Sequence, residues 1–290
     1  GFAVSVSQAF RTFAFQLELT DEEQRYVALC QREIEMALNP LIAIKRTFLG
    51  GSFARGTAVR PVHAADLFVE LEPKERTYLM RRPAAIIRAF GNALAPYLGG
   101  LEEKPGHLVI DFARGRRQPV SRIHLVPAFA QSDGWSIPDP GANCWLMTDL
   151  DRHAQLAERS ANLMPMRWRS LVQMMRCWNS AQSPCPIRPG FLIEVIALEC
   201  LKPPQGAWDY AIYGFFELLG QRLADPWFDP AGSGALVREA LAGEELRRAQ
   251  AAVDRGQACA RAAITLAGRG EVRPALEKWR GLFGSLFPVD

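Results

Sequence analysis

Residues 50–71, GGSFARGTAVRPVHAADLFVEL, place a glycine pair and a serine ahead of an apolar segment that carries Asp66. Glycine lets the backbone approach a phosphate closely, and backbone amides and the Ser52 hydroxyl can hold phosphate oxygens. Mg²⁺ prefers hard oxygen ligands and commonly binds one or two carboxylates together with substrate phosphates. This spacing therefore indicates a triphosphate site, with Gly51 and Ser52 at the phosphates and Asp66 at a metal ion.

The alternation of side chains along strands indicates which other residues share this site. Positions 65, 67, 69 and 71 are all apolar and form the packed face of a strand. The same reasoning applies to strands predicted at 107–114 and 121–129. If the three strands are neighbours in one sheet with helices behind it, the open face carries Ala64, Asp66, Asp111 and His124. Asp111 is then a second candidate metal ligand.

Helix and strand patterns divide the chain into an α/β half and an all-helical half. Thr20 and Glu23 form a capping box that begins a helix over 20–38. Further elements are predicted as strands at about 42–49 and 65–71, a helix at 83–98, and helices after residue 150 at about 151–163, 165–180, 189–201, 207–223, 235–242, 244–268 and 271–284. We expect domains at 1–150 and 151–290, with helix 20–38 bridging them and a ligand cleft between them.

Composition limits the function classes. The 290 residues are 49% apolar with a net charge of +3, which is too mild to indicate nucleic-acid binding by itself. The densest basic segment, 113–122, predicts a hairpin turn, the alternative being a contact with a polyphosphate or a duplex. No apolar run reaches 18 residues and no signal-peptide pattern is present, so we expect no membrane span. Six scattered cysteines without a C-x-x-C pair favour reduced thiols in a cytoplasmic protein.

Four segments of the chain resemble one family, the bacterial cGAS/DncV-like nucleotidyltransferases (CD-NTases, or SMODS proteins) of CBASS antiphage systems. They are GGSFARGTAVRP…ADLFVEL, RIHLVPAFA with SIPDP and Trp145 after it, LVQMMRCWN at 171–179, and KWRGLFGSLFP at 278–288. The resemblance covers nearly the whole chain. It implies a polymerase-β-like nucleotidyltransferase lobe with a mixed sheet, followed by a helical lobe, as in OAS and cGAS.

The resemblance also implies an activity. Members join NTPs, ATP among them, into a cyclic di- or trinucleotide second messenger. A ribose hydroxyl attacks the α-phosphate with the help of Mg²⁺, and pyrophosphate leaves. The product activates a downstream effector protein, and a HORMA-type partner or ubiquitin-like conjugation regulates some members. A minimal-type transferase that nucleotidylates protein or RNA shares the first motif but lacks the helical half and the ending.

The chain departs from the family pattern at two of its three metal-binding acids. Asp66 matches the second acid, Ala64 occupies the place of the first, and His124 that of the third. We interpret Ala64 as an engineered inactivating substitution, because an aspartate there would complete the motif. The alternative is a natural pseudoenzyme that binds nucleotides and regulates. His124 would accept Mn²⁺ better than Mg²⁺, orient a hydroxyl, or hydrogen-bond Asp111 or a phosphate.

Two charged residues of the helical half are further candidates. Arg176 matches a family lysine or arginine that reaches the triphosphate, the alternative being a solvated helix surface. Glu194 stands nearly alone in an apolar helix, and a buried carboxylate needs a partner. That partner would be an arginine, a nucleotide base or a structural ion pair. Five tryptophans are predicted to be core residues: Trp135, Trp145, Trp168, Trp178 and Trp208.

Overall fold

The structure, a computed structural model, describes residues 4–60, 64–113, 122–139, 141–163, 167–202, 206–228 and 241–290. They form two compact units. Residues 19–154 make up the α/β unit, and residues 4–18 with the described part of 155–290 make up the helical unit. The division predicted from the sequence placed residues 4–18 in the first lobe, whereas their contacts are within the helical unit.

The secondary structure of the described residues comprises the following elements in chain order. The helices are α1 Val6–Leu17, α2 Asp21–Leu38, α3 Gly51–Arg55, α4 Ala84–Leu94, α5 Leu150–Leu163, α6 Trp168–Ala181, α7 Phe191–Cys200, α8 Trp208–Arg222, α9 Gly243–Gly268 and α10 Val272–Phe283, with a 3-10 segment at Pro73–Met80. The strands are β1 Ile44–Leu49, β2 Ala64–Leu71, β3 Leu101–Lys104, β4 His107–Asp111, β5 Arg122–Gln131, β6 Gly134–Pro138 and β7 Trp145–Thr148.

The strands form one mixed sheet with the order β1-β2-β5-β4-β3. β2 and β5 run parallel, while β1 pairs with β2, and β4 with β5 and β3, in antiparallel orientation. The far end of β5 pairs with β6, which pairs with β7. The mixed sheet and the helical C-terminal part predicted from the sequence are therefore confirmed. The parallel pair in the middle is the part of the sheet that carries the candidate site.

One face of the sheet forms the core of the α/β unit, as the alternation of apolar residues predicted. Leu67 of β2, Ile110 of β4 and Leu125 of β5 are fully buried and pack in one cluster with α2 and α4. The capping box that begins α2 is present, since Glu23 N–H donates to the Thr20 hydroxyl and the Glu23 carboxylate accepts from Thr20 N–H. This face positions the polar side chains on the opposite one.

The core of the helical unit is aromatic and includes the first helix. Phe10 of α1 contacts Trp279 edge-on at 5.1 Å between ring centroids, and Phe13 lies 4.8 Å from Phe283. A capping box between Ser5 and Gln8 begins α1. Four of the five tryptophans predicted to be core are buried, the partly buried Trp145 being the fifth. Aromatic packing thus joins α1 to helices distant in the sequence.

Several predicted elements match the structure closely, and others fall outside the described residues. The helices predicted at 20–38, 83–98 and 244–268 correspond to α2, α4 and α9. The hairpin turn at 113–122 and the helix at about 235–242 lie almost entirely outside the described residues. All six cysteines are free thiols. No described helix combines the length and the apolar character needed to cross a membrane.

Candidate active site

The glycine turn before α3 is held directly against the strand that carries Asp66. Gly50 N–H donates to the Asp66 carbonyl at 3.0 Å. Gly51 has a φ of +55°, and a Cβ atom there would lie 2.7 Å from Oδ2 of Asp66. A Cβ atom on Gly50 would lie 2.0 Å from Cε2 of Phe68. Both positions therefore require glycine, and Ser52, the next residue along the chain, is partly exposed.

Asp66 and His124 face each other across the parallel pair of strands. They are register partners in β2 and β5, and Nδ1 of His124 lies 3.3 Å from Oδ1 of Asp66. Their side chains are 43% and 31% exposed, so solvent reaches both. The predicted shared face of Asp66 and His124 follows directly from this register, because cross-strand partners project on the same side of a sheet.

His107 completes this group, although no sequence motif indicated a role for it. The centroids of the His107 and His124 rings are 4.5 Å apart. Burial lowers the pKa of His107, the neighbouring His124 lowers it further, and the Asp66 carboxylate opposes this shift. His107 is therefore neutral at pH 7. The signal for it was present, since residue 107 has the same parity as 109 and 111 in β4.

Ala64 lies in the adjacent row of the same face, next to a cation rather than an acid. Arg122 pairs with Ala64 on one side and with Asp111 on the other. Asp111 is thus two strands from Ala64, roughly 10 Å away at the usual strand spacing. Its Oδ1 accepts the Ala113 amide at 2.9 Å. His124 stands opposite Val109 and Asp66 in the register, not opposite Asp111.

The donor set on this face fits one magnesium ion, not two. Within the described residues, no group of three or more His, Cys, Asp or Glu side chains could hold a metal ion. One exposed carboxylate, Asp66, suffices for a Mg²⁺ whose other ligands are triphosphate oxygens and water. A second Mg²⁺ would depend on an alanine and an imidazole, and neither is a hard oxygen donor.

Arg176 and Glu194 form an ion pair inside the helical unit. Nη1 of Arg176 donates to Oε1 of Glu194 at 2.7 Å. The Glu194 side chain is fully buried, and that of Arg176 is 25% exposed. The arginine is thus the partner that a carboxylate in this apolar helix needed. A quarter of the Arg176 side chain is therefore accessible to solvent.

A protein-family model decides which family this chain belongs to. Residues 4–160, more than half of the chain, match the SMODS model, described as the Second Messenger Oligonucleotide or Dinucleotide Synthetase domain. The chain belongs to the SMODS family. This family consists of nucleotidyltransferases that synthesise oligonucleotide or dinucleotide messengers, so the resemblance found in the sequence is confirmed at this level. No curated protein sequence matches this SMODS protein.

Solved structures share the fold of this SMODS protein over almost its whole length. Escherichia coli MS115-1 CdnC with ATP is 18% identical, with a TM-score of 0.73 over 98% of this chain and 99% of that one. Vibrio cholerae DncV cyclic AMP-GMP synthase with the linear intermediate pppA(3′,5′)pG is 13% identical, with a TM-score of 0.78 over 96% and 97%. Bradyrhizobium diazoefficiens CdnG with GTP is 14% identical, with a TM-score of 0.69 over 98% and 96%. At these identities the likeness establishes the two-lobed fold.

Proposed function

We propose that this protein binds NTPs at the glycine turn and Asp66, and that its family activity is the synthesis of a cyclic di- or trinucleotide in CBASS-type antiphage signalling. The observation that carries the proposal is the contact of the turn with the Asp66 carboxylate. In the reaction, a ribose hydroxyl oxygen forms a bond to the α-phosphorus of an NTP, and the bond to pyrophosphate breaks. ATP is a candidate substrate, since the similar E. coli CdnC is described with ATP.

Four residues at the site have a part in this proposal. Gly51 lets the backbone approach the triphosphate, and the Ser52 hydroxyl hydrogen-bonds a phosphate oxygen. Asp66 would hold the Mg²⁺ that accompanies the triphosphate and offsets its charge. His124, at 3.3 Å from Asp66, orients that carboxylate. Mn²⁺ is the alternative ion, because an imidazole is a better ligand for it than for Mg²⁺.

The chain as it stands is proposed to bind NTPs and to turn them over poorly. Position 64 offers no oxygen, and its cross-strand neighbour is Arg122. Removing groups that merely orient a metal ligand already costs roughly 10–100-fold in affinity or activity. Loss of an acid that binds metal directly should cost more. The glycine turn is intact, which favours an inactivated enzyme over a protein that never had the activity.

A nucleotide-binding pseudoenzyme is the second candidate, and the His107–His124 pair favours it. Two imidazoles with ring centroids 4.5 Å apart fill the side of Asp66 where the family pattern has the third acid. In that case the protein acts by binding nucleotide and presenting a surface. A minimal-type transferase is disfavoured, because the structural similarity extends through the helical unit to 98% of this chain.

The proposed partners follow from the family and from one similar structure. The cyclic product would act on a downstream effector protein. E. coli CdnC is described in a complex with a HORMA protein, and it covers 99% of this chain at 18% identity. A HORMA-type regulator is therefore proposed here, with ubiquitin-like conjugation as the alternative.

The experiment compares the chain with Ala64→Asp and with Ala64→Asp/His124→Asp. Each protein receives four labelled NTPs with Mg²⁺ or Mn²⁺ at saturating concentration, and chromatography resolves the products. We expect Ala64→Asp to raise product formation well beyond roughly 100-fold, with much less change in NTP affinity. Ala64→Asn is the matched control, because asparagine has a volume similar to that of aspartate but carries no charge.

The outcomes separate the candidates. Equal rates for the chain and Ala64→Asp, both above background, would show that position 64 was not the missing ligand. Two inactive proteins, together with an inactive double variant that still binds NTPs, would support the pseudoenzyme. Absence of NTP binding in every variant would overturn the proposed site itself.

A further inference from the structure

The helical unit contains a groove that the candidate active site does not use. One wall is the segment 182–188, and the other is one side of α9. The α9 positions 245, 248, 252 and 255 lie three or four residues apart, so they share a face of the helix. The groove has a volume of about 270 Å³, near the lower end for small-molecule sites.

The groove is rich in arginine and poor in carboxylate. Arg188, Arg248 and Arg255 line it, against one acid, Glu245. Arg188 uses its Nε to donate to the Cys185 carbonyl at 3.3 Å, which leaves the terminal nitrogens to face other partners. In the part of the chain that the structure describes, no carboxylate pairs with Arg188 or Arg255. Three cations against one acid make the groove electrostatically suited to an anion.

The one ion pair at its rim does not neutralise the groove. Nε of Arg248 lies 3.7 Å from Oε1 of Glu244, and both side chains are more than half exposed. Arg247 also pairs with Glu244, at 3.3 Å. Exposed pairs of this kind contribute little to stability, so an incoming anion competes with a weak interaction. Arg247 does not line the groove, although it has the same charge and the same partner.

The groove walls combine apolar residues with polar ones from the segment 182–185. Leu241 and Ala252 are buried, with 1% and 6% of their surface exposed. Pro184 and Pro186 line the opposite wall. A ligand that combines one anionic group with a flat uncharged part matches this lining. Guanidinium groups bind phosphate in a bidentate manner, and the apolar residues can contact the uncharged part. A polyanion or an acidic protein surface would instead require a continuous basic surface.

We propose that this groove is a second ligand site, which binds a phosphorylated small molecule of about the size of a mononucleotide. Arg248 and Arg255 bind the phosphate, and Glu245 accepts a hydrogen bond from an amino or hydroxyl group of the ligand. The site belongs entirely to the helical unit. It goes beyond the proposed catalytic function, since it uses none of the residues around Asp66.

The test is a calorimetric titration of the full chain with AMP and, separately, with inorganic phosphate. We expect AMP binding in the groove to weaken about ten- to a hundred-fold in Arg248→Ala/Arg255→Ala, the range expected when hydrogen bonds to a charged group are lost. Arg247→Ala is the matched control, because it removes the same charge next to the groove, and it should bind AMP normally. Glu245→Gln should strengthen phosphate binding by removing the one opposing charge.

A Ser52→Ala variant separates this site from the proposed triphosphate site. It should leave AMP binding in the groove unchanged, whereas the double arginine variant weakens it. The proposal is overturned if AMP does not bind, if Arg247→Ala weakens binding as much as the double variant does, or if Ser52→Ala alone removes it. Melting curves by circular dichroism check that the variants fold, which is expected because the substituted arginines are exposed.

Discussion

The glycine turn, Gly50 and Gly51, and the metal side of the open sheet face, positions 64 and 124, differ in how closely they match the family pattern. At the turn, Gly50 and Gly51 fit against Phe68 and the Asp66 carboxylate so closely that neither accepts a Cβ atom. On the metal side, position 64 is an alanine next to Arg122, while His124 stands in the place of the third acid and contacts both Asp66 and the His107 ring. Both regions adjoin β2 within a few residues of each other, yet the turn fits closely around that strand and the metal side lacks acidic ligands.

In the proposed function, phosphate binding and metal-assisted chemistry are carried by separate residues. The turn depends on backbone geometry, which β2 and the fold of the α/β unit maintain. The metal side depends on side-chain type at two positions, and each can change without moving the backbone. Nucleotide binding can therefore remain in this fold when catalysis is lost, and the following variants test that separation.

Arg176 gives the largest expected effect on binding. If it contacts the triphosphate, Arg176→Ala should weaken NTP binding by about 1.5–3 kcal/mol, the range for a hydrogen bond to a charged group. The same variant should lower the free energy of unfolding, since it removes a partner of the buried Glu194. Isothermal titration with ATP and chemical denaturation measure the two effects separately.

Glu194→Gln is the companion to the Arg176 variant, because it keeps the volume and removes the charge. It should destabilise the protein and reduce NTP affinity less than Arg176→Ala does. A loss of stability in Arg176→Ala with an unchanged ATP affinity would show that the arginine has a structural role only. NTP binding would then depend on residues of the α/β unit and not on Arg176.

Gly51→Ala tests the turn directly and should have a smaller effect. The new methyl would lie 2.7 Å from Oδ2 of Asp66 and displace that carboxylate. Gly243→Ala is the matched control, because Gly243 has nearly the same φ, +53°, with nothing within 4 Å of its Cβ position. Both should lose about 1–2 kcal/mol of stability from the left-handed backbone. Only Gly51→Ala should also weaken ATP binding, by about tenfold.

Equal ATP affinities for the two glycine variants would count against the turn as a phosphate site. Their unfolding free energies, measured in the same denaturant series, check that backbone strain is matched. A larger loss of stability at Gly51 would measure the cost of displacing Asp66 in the absence of nucleotide.

His107 gives the smallest expected effect, a change in how stability depends on pH. Burial holds its pKa below the ordinary value of about 6.5. The unfolded chain then binds more protons than the native one between the two pKa values, so stability decreases as pH falls through that window. His107→Asn should flatten this decrease in denaturation experiments from pH 7.5 to 5. Parallel pH profiles for the two proteins would contradict it.

The sequence predicted the open face of the sheet because strand parity is a short-range property. Alternation in β2, β4 and β5 placed Asp66 and His124 on one side without knowledge of the strand order. The contact between His107 and His124 depends on the antiparallel register of β4 with β5. A register is set by packing across the sheet and by the connecting turn, which single-strand patterns do not contain.

Other elements were missed for a different reason. Helix α1 was not predicted from the sequence, although Ser5 and Gln8 form a capping box and Phe10 and Phe13 provide an apolar face. Their burial partners, Trp279 and Phe283, lie some 270 residues further along the chain. The strands β3, β6 and β7 are only four or five residues long, too short for a clear alternation. The sequence did not identify the partner of Glu194, because the pairing joins two helices and depends on how those helices pack.

The position of β2 and β5 inside the sheet has a consequence for hydrogen exchange. Each has a hydrogen-bonded strand on both sides, whereas β1 and β3 are at the ends of the strand order. Opening of a sheet begins at its edges, so amides of interior strands exchange with deuterium only in larger opening events. The backbone at Asp66 and His124 should therefore be among the slowest to take up deuterium. A substituted side chain at position 66 or 124 would therefore be attached to a backbone that local opening of the protein rarely reaches.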